Sequence, residues 1–171
     1  MALVLFKQEA QQTMVKDGLI LELKGSQAFF ERSTDCLSEE DSVFRPAEGM
    51  YSVASHVAHA AQTVDWFIDG MFSPDGFDLD FQKHIDEAVA CTSLTEARQW
   101  FSKAFSNAVE VLASKSDSDL MTPLPDGPVM GGAPRLSVIS AMTEHTAHHR
   151  GALSVYSRLL GKEPKMPYGD M

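Results

Sequence analysis

The chain predicts an all-α protein: a four-helix bundle with a long crossover connection and a short extra helix between the second and third main helices. Apolar residues recur at three- and four-residue intervals over four long segments, the period of an amphipathic helix. Serine caps and a glycine stop mark segment ends. No strand-like alternation, internal repeat or low-complexity tract competes with this pattern. Four amphipathic rods joined by two longish connections bury their stripes best against one another.

The first helix is expected from about Phe6 to Arg32, with Met14, Leu19, Leu21, Leu23, Ala28 and Phe29 recurring along it and Gly18 and Gly25 as weak points. The polar connection STDCLSEEDSVFRPAEGM follows, with Leu37 and Phe44 as its anchors to the core. Ser52 is the natural N-cap of the second helix, which runs to about Phe72. Its stripe is Val53, Val57, Ala60, Ala61, Val64, Phe67, Ile68 and Met71. Pro74, Gly76 and nearby aspartates make a loop, and Phe81 to Ala90 forms the short extra helix, with His84 on a solvated surface. The third main helix starts at Ser93, where Glu96 completes a Ser-x-x-Glu capping box, and runs to about Lys115. Its stripe is Leu94, Ala97, Phe101, Ala104, Phe105, Ala108, Val111 and Leu112. The prolines and glycines of DSDLMTPLPDGPVMGGAPR exclude helix there. The last helix is Ser137 to Gly161, with Gly161 at its C-terminal stop and KEPKMPYGDM as an extended tail.

A chain of 171 residues, with 44% hydrophobic and 22% charged residues, fits one globular domain over 1–171. A net charge of -10 without any basic cluster excludes a nucleic-acid partner. The opening MALVLFKQEA lacks a basic signal-peptide region, no segment reaches membrane-spanning length, and Cys36 and Cys91 form no Cys-x-x-Cys pair. Free thiols in a reducing cytoplasm, with no membrane partner, are the expectation.

The last helix carries the chemistry. At about 100° per residue, Val138, Ala141, Met142, His145, His149, Ala152, Leu153, Tyr156 and Leu160 share one face. Two imidazoles one turn apart within an apolar stripe can converge on one metal ion, whereas a lone buried histidine is often only a hydrogen-bonded core residue. His148 lies near the edge of that stripe, and Arg150 points away. A third ligand must come from another helix, and the second offers His56 and His59. Pattern alone leans toward His56, which is nearer the centre of its stripe. Three imidazoles leave a fourth position open for chemistry. His-Glu-x-x-His, paired Glu-x-x-His and Gly-x-Ser-x-Gly are all absent.

PAEGMYSVASHVAHAAQT, EHTAHHRGAL and YSRLLGKEP together resemble the DinB-like superfamily of metal-dependent four-helix-bundle proteins, nearly along the whole chain in helix order. Members carry Ser seven residues before a metal-binding His, a relation that here joins Ser52 to His59. The resemblance therefore selects His59, with His145 and His149, as metal ligands. His-x3-His-Arg-Gly matches His145, His149, Arg150 and Gly151, but Ala152 stands where many members have Gln. The resemblance implies a divalent ion at this site: zinc, with nickel, iron, copper or manganese also suited to the ligands. It further implies a homodimer and, in some members, transfer of a low-molecular-weight thiol to a small electrophilic substrate. Trp66 and Tyr156 are candidates for the pocket lining or, equally, for core packing. The alternative is a non-catalytic bundle that binds a metal or small ligand with the same three histidines.

Overall fold

The structure, a computed structural model, describes residues 2–169, with side chains from residue 15 onward. Among the described residues it is all-helical: α1 (Ala2–Thr34), α2 (Val53–Phe72), α3 (Phe81–Ala90), α4 (Leu94–Ser114), α5 (Asp117–Met121) and α6 (Ser137–Leu159). The four long helices make the bundle. α4 and α6 each pack against both α1 and α2, so α1 and α2 face each other across the core. α3 lies outside the bundle on α2. No helix among the described residues is long and apolar enough to cross a membrane.

Local chemistry explains the helix ends. Ser52 Oγ accepts from the backbone N–H of Ser55 and starts α2. Ser93 Oγ accepts from Glu96 N–H at 3.2 Å, which is half of the expected capping box. The N-terminus of α4 takes its other acceptors from the crossover: Leu94 N–H donates to Ser42 Oγ at 2.9 Å and Thr95 N–H to Glu39 Oε2 at 2.7 Å. A carboxylate from a distant segment thus serves the helix dipole, and the Thr95 hydrogen bonds hold the Glu39 carboxyl below its ordinary range. At the end of α6, Lys162 N–H bonds Ser157 O and Gly161 N–H bonds Arg158 O, with Gly161 at φ 73°. This Schellman arrangement needs the left-handed residue that glycine supplies. The extended tail then crosses α1, where Met166 O accepts from Arg32 Nε at 2.7 Å and Lys165 pairs with Asp35.

Two expectations need correction. Leu21 is 69% exposed, and Ala28 is also exposed, whereas Leu23 and Phe30 are the deeply buried residues of α1. Residues two apart differ by about 200° around a helix, so Leu21 cannot share a face with Leu19 and Leu23. The Met14 side chain lies outside the described residues. Secondly, Asp117–Met121 is a short helix inside the supposedly non-helical connection. Ser116 and Asp119 form a complete capping box there, and the first proline comes only after the helix has ended.

Gly70 in α2 positions the loop beside the site. A Cβ on Gly70 would lie 2.2 Å from Phe77 Cδ1, which is far inside contact distance. Gly70→Ala is expected to force Phe77 off α2 and destabilise the protein by about 1–3 kcal/mol. Chemical denaturation measures this, and an unchanged midpoint would contradict the close packing.

Candidate metal centre

α2 and α6 pack together and bring their histidines face to face. His59 from α2 and His145 and His149 from α6 each offer one ring nitrogen, all within 4.8 Å of one another. His149 is buried, while His59 and His145 are half-buried. The group could hold a metal ion. His56, favoured by the apolar pattern alone, lies behind this group: its Nδ1 is 3.0 Å from His149 Nδ1. His148 is exposed, and its ring meets only the edge of this cluster, 5.0 Å between centroids from His149.

Hydrogen-bond polarity assigns the protons. The Tyr156 hydroxyl donates to the Tyr51 carbonyl at 3.1 Å, leaving its oxygen to accept from His56 Nε2 at 3.2 Å. Neutral His56 then carries its proton on Nε2 and presents a bare Nδ1. His149 Nδ1 must donate to it. The remaining His149 nitrogen, Nε2, is therefore a free lone pair, 3.0 Å from His145 Nε2. A backbone carbonyl thus dictates, through two side chains, which nitrogen of His149 is available to an ion. Tyr156, expected in the pocket, acts from behind it.

The donor set fits a divalent metal. Burial first, and then the neighbouring imidazoles, push His145 and His56 down to about 4 and His149 to about 2, and His59 is also lowered. Neutral imidazoles are the ligating form. His59 Nδ1 is buried without a protein partner, as expected of a ring whose surroundings are completed by something other than protein.

These shifts make the metal-free protein acid-sensitive. Above the ordinary histidine value of 6.5 the rings are neutral folded and unfolded, and pH has no leverage through them. Between 6.5 and about 4 the unfolded chain takes up protons that His56 and His145 refuse in the fold. Stability therefore falls as pH falls across that window. Thermal melts of metal-free protein should show a steady decline there, and a flat profile would contradict a buried neutral cluster.

His59 and His145 also line a cavity of 270 Å³ with Trp66, Phe67, Phe81 and Ile85. Trp66 fulfils its expectation, and its Nε1 donates to Asp78 O at 2.8 Å. His84 was expected on a solvated surface, but it is half-buried and lines this cavity. α3 packs on α2 with His84 and Ala88, one turn apart, turned inward. That shared spacing was the available signal, and the apolar residues Phe81, Ile85 and Val89, which the structure leaves exposed, competed with it.

A solved structure of a DinB-like protein from Bacillus cereus ATCC 10987 matches this fold with a TM-score of 0.70 and 18% identity, over 90% of this chain and 97% of that one. Likeness at that identity concerns the fold alone. No curated protein matches the chain. The family model described as DinB superfamily matches residues 22–153, which include all three clustered histidines and Ser52. The chain belongs to the DinB superfamily.

Proposed function

We propose that the protein is a metal-dependent enzyme in which His59, His145 and His149 hold a divalent ion, zinc by first expectation, and that its reaction is transfer of a low-molecular-weight thiol to an electrophile. The observation that carries this reading is the meeting of three neutral ring nitrogens, within 4.8 Å of one another, at the wall of an apolar cavity. Bound there, the ion would supply a Lewis acid that lowers the pKa of a thiol at its open position. The chain's own residues do the rest. Tyr156 and His56 hold the His149 ring in one tautomer. Trp66, Phe67, Phe81 and Ile85 shield the reacting groups from water and give an apolar substrate body its surface.

The test is metal-loaded protein, a panel of thiols and a halogenated aromatic electrophile. Metal-dependent conjugation with at least one thiol supports the proposal. Metal retention without conjugation by any thiol favours the non-catalytic binder, a reading to which Ala152 at the common Gln position lends weight.

The hydrogen-bond chain behind His149 makes a separate prediction. Tyr156→Phe and His56→Ala are expected to retain the ion but to bind it about 10–100-fold more weakly, the usual cost of losing an outer partner. Competition against a chelator measures this. Unchanged affinity in both variants would show that the chain does not orient the ligand.

A further inference from the structure

Gln62 is 5% exposed, yet among the described residues its side-chain amide has no hydrogen-bond partner. Neither amide atom is sealed, so the group opens onto the space that Gln62 lines: the 270 Å³ cavity beside the histidines and a neighbouring cleft of 390 Å³. A primary amide offers N–H donors and a carbonyl acceptor, and a buried one with both unused is the kind of group that a ligand completes. His59 and Gln62 stand three residues apart on one side of α2. A molecule lying along that side reaches from the histidine group to the amide.

The rest of the wall narrows the choice. Among the described residues no Asp, Glu, Lys or Arg lines this cavity, so a charged end would be stripped of water without a counter-charge. Thr63 adds no donor, because its hydroxyl proton goes to His59 O at 2.8 Å. Trp66, Phe67, Phe81 and Ile85 make much of the remainder apolar. The space is smaller than a drug-sized site of about 300–1,000 Å³, so its occupant is small.

We propose that Gln62 is the specificity residue of this cavity and that its ligand is a small neutral molecule carrying a carboxamide on an apolar or aromatic body. The ligand N–H donates to Gln62 Oε1, and the ligand carbonyl accepts from Gln62 Nε2. This rests on the proposed function only in making that molecule the substrate of the metal site. A ketone of the same shape uses Nε2 alone and leaves Oε1 unmet. An ammonium uses Oε1 alone and a carboxylate Nε2 alone, each with a charge that this wall does not balance.

The experiment is an NMR titration of zinc-loaded, full-length protein with 4-methylbenzamide, 4-methylacetophenone and 4-methylbenzylamine. The amide is expected to bind at least about tenfold more tightly than either of the others, the effect of about one further buried hydrogen bond. Gln62→Met, close in size, should cut that preference to about twofold or less. Its metal content and melting temperature should not fall, since it breaks no hydrogen bond of the fold. Gln62→Glu should make the amine the tightest binder, a reversal that a merely structural glutamine would not produce. A metal-free arm adds 4-methylbenzoate, where zinc exerts no pull on the carboxylate, and the acid should bind more weakly than the amide. Equal binding of amide and ketone, a preference of the unaltered protein for the amine, or a metal-free preference for the acid would overturn the inference. So would an amide preference that survives Gln62→Met, an amine still weaker than the amide in Gln62→Glu, or no binding of the amide at millimolar concentration. The two readings fail separately. Gln62-dependent amide binding without conjugation of any thiol keeps the amide site and removes the thiol reading. Thiol conjugation of halogenated aromatics at equal rates with and without a carboxamide keeps the thiol reading and removes the amide site.

Discussion

His149→Ala is expected to empty the protein of metal, from about one ion per chain to under about a tenth, because three neutral imidazoles are the smallest protein ligand set that leaves a catalytic position open. Elemental analysis after gel filtration measures it. His149 is the most constrained of the three: buried, with one nitrogen committed to His56 and the other facing His145. Its loss also leaves His56 Nδ1 without a donor, so part of any fall in stability will be local. His145→Ala and His59→Ala are the cleaner variants, since both rings are half-buried. All three should lose the ion, while the exposed His148 can be replaced by alanine with full retention. Metal kept by His59→Ala but lost by His148→Ala would sink the ligand assignment. Far-ultraviolet circular dichroism on the same samples distinguishes loss of the ion from loss of the fold.

Phe101→Ala should cost about 3–5 kcal/mol of unfolding free energy, the range for emptying a buried aromatic position. Phe101 is 1% exposed and lies between two other rings, stacked on Phe30 of α1 at 4.3 Å between centroids and 4.7 Å from Phe105 in its own helix. It therefore joins α4 to α1 on the α4 side of the core. Urea denaturation of metal-free protein reads the loss without a contribution from bound ion. A change under about 1 kcal/mol would show that α1 does not rest on α4 as described.

Much of this architecture was legible in residue spacing. Ser52 and the stripe from Val53 to Met71 placed α2 closely, and the Phe81–Ala90 helix fell where it was expected. Each is a local matter: a cap is a hydrogen bond to a residue three places on, and a stripe is a phase kept within one segment. α1 was read less well. Its true inner face, Leu23 and Phe30, was mixed with Leu21, because its other apolar residues are spread round the helix. The cap that Glu39 provides to Thr95 was invisible, since 56 residues separate donor and acceptor.

The histidines divide along the same line. His145 and His149 stand one turn apart on one helix, so their convergence follows from the helical repeat alone. Whether His56 or His59 joins them depends on how far α2 is rotated about its axis where it meets α6; the apolar pattern does not contain that, and it was the resemblance, through Ser52, that pointed to His59. The apolar stripe leaned toward His56 because burial and ligation are different things: the more buried ring turned out to hold His149 from behind. His84 teaches the same lesson, because only the seating of α3 on α2 turns it inward. Sequence determined the rods, most of their inward faces and one pair of candidate ligands, through interactions that reach a turn or two along the chain. The rotation of one rod against another is set by the packing of many side chains at once, and that is what brings His59 rather than His56 to the pair, places His56 against His149 and turns His84 into the cavity.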